Sequence, residues 1–223
     1  RICDLLLEQG IQKTFIAQAR IDIARYPARL LKKLERAGFK AMLIGIESPH
    51  DWILQQLQKG FTAQDVRDAF QTLKDYTFFY HCYFIYGNIG ESRAEMFAIP
   101  NFAKEIGADA IWAQDLQART FSLIKELVEK TPGYYVSPEG FVYSDTYSLE
   151  ELKRIGKEIH RRFYTPRQVY RMLRKLYHIR ALPFINPFVV VSLLLHLPGL
   201  IFRGLAKHLK KRRGGKKIGI PYT

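Results

Sequence analysis

Charged and polar residues follow each of four apolar segments of the chain, at the point where the segment ends. They are Arg20 and Asp22, Glu47 and Ser48, Gly87, Gly90 and Glu91 of the loop 87–91, and Asp115. Arg20 and Asp22 could form a local salt bridge, and the glycines could be turn residues with positive φ. A carboxylate such as Glu47, which closes an apolar strand, must be paired or solvated, so it indicates a binding site more strongly.

The four apolar segments alternate with helical patterns and predict a parallel sheet. The predicted strands cover 14–19, 41–47, 77–86 and 110–116, and the predicted helices cover 27–37, a segment capped by Thr62, and 92–106. Successive βαβ units of this kind form either a barrel or an open doubly wound sheet, and periodicity does not distinguish them. The ends of parallel strands meet at one edge, so the polar residues are expected to share a mouth. Four strands are too few for a complete eight-stranded barrel of ~250 residues.

The later part of the chain has a different character. Residues 131–147 contain turn residues and aromatic residues and are expected to form an irregular crossing segment. Ser148 and Glu151 form a capping box that begins a helix to about residue 163. A second helix begins after Thr165, with Pro166 in the first helical position, and continues to about residue 177.

The charge is concentrated near the end of the chain. The net charge is +14, but no Asp or Glu follows Glu158, whereas 15 Lys and Arg residues lie in 159–223. The remaining residues are nearly neutral, which argues against nucleic-acid binding by the whole surface. Two distant cysteines, Cys3 and Cys82, exclude a disulfide framework and a thiolate cluster, and they favour a reducing, cytoplasmic compartment. The chain has no signal peptide and starts inside a helical pattern, which we interpret as an internal fragment.

Residues 181–217 predict contact with a membrane surface. The segment 181–202 has no charged residue but contains three prolines, and eight Lys and Arg residues follow it. The prolines favour an interfacial or re-entrant segment over a straight span, and the cations suit an anionic cytoplasmic leaflet. Alternatively, the apolar stretch packs on the sheet and the basic end is solvated. Binding of RNA is disfavoured because no aromatic residues are interleaved with the cations.

The order of motifs resembles the second half of a radical S-adenosylmethionine (SAM) enzyme core, in the subgroup that carries a cobalamin-binding domain. The motifs are Ala19-Arg20-Ile21-Asp22, a helix ending at Ala37-Gly38-Phe39, Ile44-Gly45-Ile46-Glu47-Ser48, Lys59-Gly60-Phe61-Thr62, and the segment from Phe84 to Glu91. The resemblance covers residues 1 to about 120, and the helices of 148–177 resemble the extension of that subgroup. It implies an α/β fold: the C-terminal half of a (β/α) barrel over 1–130, the crossing segment and helical extension over 131–180, and the tail over 181–223.

The resemblance also implies roles for single residues. Those implied to bind SAM are Arg20, Glu47, Ser48, Lys59, Ile85, Gly87 and Glu91. Glu47 and Ser48 would contact the ribose or amino-acid part, and Ile85 and Gly87 would let the backbone approach the adenine. Arg20 or Lys59 would pair with the methionine carboxylate, and Asp115 would face the substrate.

The sequence departs from the family in ways that affect the cofactors. The family uses SAM and a [4Fe–4S] cluster held by a CxxxCxxC loop, but this chain has two cysteines and therefore no metal ligands of that kind. Asn88-Ile89 and Ala118-Arg119-Thr120 also replace the usual Leu-Pro or Phe-Pro and Pro-Gly-Thr. We therefore expect the chain alone to be inactive, with the cluster loop and a cobalamin domain upstream of Arg1.

For the intact protein, the resemblance implies reductive cleavage of SAM to a radical that methylates or rearranges a substrate. An electron donor such as flavodoxin or ferredoxin would be a partner, and the membrane-directed tail favours a lipid, pigment or other lipid-soluble substrate. One alternative is a tRNA methylthiotransferase, which shares the core but ends in a small RNA-binding β-barrel. The other is a non-catalytic membrane scaffold with a degenerate barrel.

Overall fold

A computed structural model describes residues 1–118 and 123–181 of the chain. Its centre is a parallel sheet of four strands in the order β1-β2-β3-β4. The strands are β1 (Phe15–Ala19), β2 (Phe39–Glu47), β3 (Phe79–Tyr86) and β4 (Ala110–Asp115). The prediction of four successive parallel strands is therefore confirmed, and every strand end points to the same edge.

Helices connect and cover these strands. They are α1 (Ile2–Glu8), α2 (Ala28–Arg36), α3 (Asp51–Gln56), α4 (Ala63–Leu73), α5 (Arg93–Met96), α6 (Ile99–Glu105), α7 (Leu123–Lys130), α8 (Leu149–Phe163) and α9 (Pro166–His178), with a 3₁₀ helix at Ile21–Arg25. Thr62, Ser92 and Ser148 begin α4, α5 and α8 with complete capping boxes, as their sequences indicate. The predicted helix 92–106 is two helices, because the ring of Pro100 would clash with the Met96 carbonyl in a continuous helix.

Residues 131–147, which were expected to be irregular, are only partly so. They contain an antiparallel hairpin of β5 (Tyr134–Val136) and β6 (Val142–Ser144). Each strand has three residues, which is too short for an alternating pattern to be recognised in the sequence. The hairpin is attached to the end of the main sheet, because Gln117 bridges to Phe141.

The two faces of the main sheet differ in burial. Along β2, Met42, Ile44 and Ile46 are buried in the main hydrophobic core beneath the helices, whereas the residues between them are only half-buried. Large side chains remain exposed elsewhere on the sheet, with Ile16 of β1 at 64% and Trp112 of β4 at 52%. A sheet covered by helices on one face and incompletely buried on the other is typical of part of a barrel.

The outer edge of β4 is covered by side chains of α8 and its C-cap. The Tyr164 hydroxyl donates to the Ile111 carbonyl at 2.8 Å and accepts from the Ile111 amide at 3.1 Å. Nε2 of His160 accepts from the Ala113 amide at 3.4 Å. These contacts satisfy backbone groups that would otherwise be free to pair with another strand.

The chain divides into a compact unit, Arg1–Ile179, and a second unit, Arg180–Thr223. The first unit contains the sheet, the hairpin and both helices of the extension. Except for Ala181, the segment predicted to contact a membrane lies outside the described residues. In the part of the chain that the structure describes, no helix is long and apolar enough to cross a membrane.

Candidate functional site

A cavity of about 240 Å³ lies at the ends of β1 and β2. Three of the predicted ligand-binding residues line it together: Arg20, Glu47 and Lys59. Gly45 and Phe61 complete much of the wall. The expected convergence of strand-end residues is thus observed for Arg20 and Glu47, and Lys59 joins them from the loop after α3.

Glu47 occupies this position because the end of β2 is irregular. Gly45 pairs with Tyr83 and Glu47 pairs with Phe84, so Ile46 is an additional residue in β2. Glu47 itself has a φ of 71°, a left-handed conformation that side-chain-bearing residues rarely adopt. A Cβ at position 45 would lie only 2.7 Å from Oε1 of Glu47, so a side chain at this position would require the Glu47 carboxylate to shift.

The charges of Glu47 and Lys59 neutralise each other. Nζ of Lys59 donates to Oε1 of Glu47 at 2.8 Å, and both side chains are partly buried. Arg20 is 78% exposed, and its Nε lies 3.9 Å from Oδ2 of Asp22. A pair this long and exposed contributes little to stability. Arg20 is therefore the cation that remains available to an anionic group of a ligand in the cavity.

Ser48 is fully buried and does not line this cavity. Its Oγ accepts from the His50 amide at 3.1 Å, and its own amide donates to the Ile46 carbonyl at 3.0 Å. These hydrogen bonds fix the turn between β2 and α3. Ser48 therefore stabilises the turn that follows Glu47.

Backbone conformation and packing explain why glycine occupies positions 87 and 90 of the loop 87–91. Gly87 has a φ of 73° and Gly90 a φ of 84°, both in the region that favours glycine. A Cβ at position 87 would lie 2.9 Å from Cδ2 of Leu152 in α8. The Gly90 amide donates to the Tyr134 hydroxyl at 2.7 Å, and the Trp52 ring lies beside Gly90. The loop is thus enclosed by α3, α8 and the hairpin.

Glu91 stabilises this loop from inside. It is 3% exposed, and its Oε2 accepts from the Asn88 amide at 2.9 Å and from Nδ2 of Asn88 at 3.0 Å. Burial raises the pKa of Glu91 to about 7, although these hydrogen bonds oppose the shift. Oε1 of Glu91 and Oδ1 of Asn88 are buried without a hydrogen-bond partner among the described residues.

The other two predicted site residues lie on β3 and β4. The Ile85 carbonyl accepts from Nδ2 of Asn88 at 3.2 Å. Asp115 pairs with Tyr86 at the end of β4, and burial raises the pKa of its carboxyl group while Lys153 opposes the rise. Neither residue lines the cavity of Glu47. They share its edge of the sheet without meeting Arg20 and Lys59.

Several residues that hold the site were not predicted. Nε1 of Trp52 donates to Oε1 of Glu95 at 3.1 Å, and Nε2 of His50 contacts the Glu95 carbonyl at 3.2 Å. Nε2 of Gln56 donates to the Ile89 carbonyl at 3.3 Å. Trp52 and Gln56 lie in α3, a helix too short to give a recognisable pattern. Tyr134 lies in the hairpin that was expected to be irregular.

The described residues fit part of SAM but not an iron–sulfur cluster. A cationic guanidinium and a carboxylate in one cavity suit the opposite charges of an amino-acid group. In contrast, no group of three His, Cys, Asp or Glu side chains in 1–118 and 123–181 could hold a metal ion. Cys3 and Cys82 are both free and buried, and burial raises the pKa of the Cys82 thiol, which disfavours the thiolate that binds metals.

Comparison with known proteins finds sequence similarity over part of the chain. No family model matches the chain. An uncharacterized methyltransferase of Pyrococcus horikoshii is 29% identical over 102 residues, which cover 46% of this chain and 22% of the relative. The chain therefore spans less than a quarter of the length of that relative.

Two solved structures share the fold at low sequence identity. The radical SAM enzyme coproporphyrinogen III oxidase of Escherichia coli matches with a TM-score of 0.52 and 11% identity, over 72% of this chain and 36% of that one. The radical SAM methyltransferase TsrM of Kitasatospora setae, with cobalamin and a [4Fe–4S] cluster bound, matches with a TM-score of 0.50 and 13% identity, over 73% and 34%. The described sheet and its helices therefore have the fold of part of a radical SAM barrel.

Proposed function

We propose that this chain is part of a radical SAM enzyme and that the cavity of Arg20, Glu47 and Lys59 receives the amino-acid end of SAM. The observation that carries the proposal is that these three residues, from three separate segments, line one cavity at the carboxyl edge of the sheet. Parallel α/β folds bind their ligands at this edge.

The proposed roles follow from charge and position. Arg20 pairs with the SAM carboxylate, because its guanidinium is exposed and only loosely bound to Asp22. Glu47 accepts a hydrogen bond from the SAM ammonium or a ribose hydroxyl. Lys59 holds the Glu47 carboxylate in its orientation through the 2.8 Å bond. The earlier expectation that Lys59 itself binds the carboxylate has less support, since its charge is already paired.

The loop after β3 has a positioning role in this proposal. The backbone of Ile85 and Gly87 contacts the adenine, as the family resemblance implies. Ser48 and Glu91 hold the two strand-end turns and do not touch SAM, because both are buried and bonded within their turns. Asp115 remains the candidate to face the substrate.

The described residues offer no set of ligands for the iron–sulfur cluster of the family. The chain has two cysteines, so a three-thiolate ligand set would have to come from residues outside it. In the intact protein we propose methylation or rearrangement of a lipid, pigment or natural-product skeleton, with a flavodoxin or ferredoxin as electron donor. The segment 181–217 would contact the membrane that supplies a lipid-soluble substrate.

Binding of SAM to the full chain tests the proposal. Calorimetry or equilibrium dialysis should detect binding, and Arg20→Gln should weaken it at least tenfold, because a charge-assisted hydrogen bond contributes about 1.5–3 kcal/mol. Arg154→Gln, an equal change of charge on an exposed part of α8, is the control. Absence of SAM binding, or equal binding by both variants, would refute the assigned site.

The two alternatives have less support. A tRNA methylthiotransferase would end in an RNA-binding β-barrel, whereas α8 and α9 follow the sheet here. A non-catalytic scaffold would leave the Glu47–Lys59 pair without a ligand, so failure to bind SAM would favour it.

A further inference from the structure

A second cavity, of about 400 Å³, lies at the opposite edge of the sheet, where β3 and β4 begin. Its polar lining consists mainly of Lys74, Tyr80, Asp109, Arg171, Arg174 and Lys175. Tyr80 is near the start of β3 and Tyr86 at its end, so the strand separates this cavity from the Glu47 edge by about 20 Å. It is therefore distinct from the candidate SAM site.

The walls of this cavity are fixed by hydrogen bonds between α9 and the sheet. Nε2 of Gln168 donates to the carbonyl oxygens of Ala108 and Asp109, each at 3.0 Å. Nζ of Lys175 donates to Oδ2 of Asp109 at 2.6 Å, and the same oxygen accepts from the Tyr80 amide at 2.8 Å. The residues that line the cavity thus belong to elements that are held together by hydrogen bonds.

The cavity carries an excess of positive charge that the chain does not neutralise. Asp109 is its only carboxylate, and Lys175 already pairs with it. Among the described residues, no carboxylate lies within ion-pair distance of Lys74, Arg171 or Arg174. The segments 119–122 and 182–223 contain no Asp or Glu. Apart from the electrostatic attraction of Asp109 for Arg171, no acidic side chain of the described residues is therefore left to offset these cations.

We propose that this cavity binds a phosphate group, carried by a soluble phosphorylated compound or by the headgroup of an anionic lipid. Arg171 and Arg174 are three residues apart in α9 and so share one face of the helix. Two guanidinium forks with a nearby ammonium group match the planar, bidentate recognition of phosphate oxygens. Phe70, Ile106 and Ile179 supply apolar wall for the rest of the ligand.

Two probes test the proposal on the full chain at fixed ionic strength. Calorimetry with pyrophosphate reports the soluble source, and co-sedimentation with phosphatidylcholine vesicles, with and without phosphatidylglycerol, reports the lipid source. Arg171→Gln/Arg174→Gln should weaken binding about a hundredfold, since each charge-assisted contact contributes about tenfold. The control, Arg154→Gln/Lys157→Gln, removes the same charge from exposed positions of α8 and should leave binding unchanged.

The outcomes separate the two sources. Pyrophosphate binding that needs both arginines supports a soluble ligand, and arginine-dependent binding to anionic vesicles alone supports a lipid headgroup. Vesicle binding that is unchanged in the Arg171/Arg174 variant, with no pyrophosphate binding, overturns the proposal. Equal effects of the test and control variants, or no binding of either probe, also overturn it. Both arginines are exposed, and Arg171→Lys/Arg174→Lys provides a second test that keeps the charge but removes the fork.

Discussion

Replacement of Glu47 by glycine and by alanine tests whether the site stores backbone strain. Both substitutions remove the carboxylate and its bond to Lys59, so their difference reports the backbone alone. At a φ of 71°, alanine costs about 1–2 kcal/mol, whereas glycine adopts this conformation freely. Glycine also makes the unfolded chain more flexible, at a cost of about 0.4–1 kcal/mol. We therefore expect Glu47→Gly to be more stable than Glu47→Ala by about 1 kcal/mol.

Urea unfolding of the full chain measures this difference. The control is Lys157, an exposed residue in the middle of α8, where alanine should be more stable than glycine by about 1 kcal/mol. The order of the two residues should thus be reversed between positions 47 and 157. If alanine is the more stable residue at both positions, Glu47 is not strained.

The same two variants test the role of the carboxylate. Both should bind SAM more weakly than the unchanged chain, whatever their stability, because neither has an acceptor for the ligand or a partner for Lys59. Strain of this kind persists where the surrounding structure requires it, and it is concentrated at functional sites. SAM binding by Glu47→Gly with unchanged affinity would contradict the assigned role.

Three further changes test the packing and the buried charges, each by equilibrium unfolding. Gly156→Ala should lower the unfolding free energy by about 1–3 kcal/mol, because the new Cβ would overlap the Tyr86 hydroxyl, although alanine normally stabilises a helix interior relative to glycine. The pKa of Glu91 is raised from 4.5 to about 7, so the folded state favours the protonated carboxyl group. Its contribution to stability is complete below pH 4.5 and is lost as the pH rises through about 7. As the pH rises across that range, the unfolding free energy of Glu91→Gln should therefore increase by up to about 3 kcal/mol relative to that of the unchanged chain. The same pH dependence of stability in both proteins would contradict this. Lys175→Met should lower the unfolding free energy by up to about 3–5 kcal/mol at neutral pH, because Asp109 loses its ion pair and only the more distant Arg171 offsets its charge. The loss should shrink in acid as Asp109 is protonated.

The strands could be predicted because each is a largely apolar run with glycine or a polar group at its end. Ala41–Glu47 is such a run, and the structure extends it only by two residues, to Phe39. The convergence of Arg20 and Glu47 followed from a general property of parallel sheets, so it needed no knowledge of side-chain positions.

The remaining features depend on tertiary contacts that leave no local pattern. Gly87 was expected to admit a ligand, whereas the nearest obstacle to a side chain there is Leu152, which lies 65 positions later. The additional residue in β2 is set by pairing with β3, and the sequence of β2 alone does not indicate it. The bond between Lys59 and Glu47 joins an apolar strand end to a loop beyond α3.

The two proposed sites depend on different parts of the molecule, so each can be changed without the other. The cavity of Glu47 is formed by segments that follow β1 and β2, whereas the cavity of Arg171 is formed by α9 and by segments that precede β3 and β4. The rigid sheet lies between them, and distant sites that share no partners have additive effects. Variants of Arg171 and Arg174 should therefore leave SAM binding unchanged, and variants of Glu47 should leave phosphate binding unchanged. Coupling between the two affinities would require α9 and the Glu47 turn to move together, which their separate hydrogen bonds do not favour.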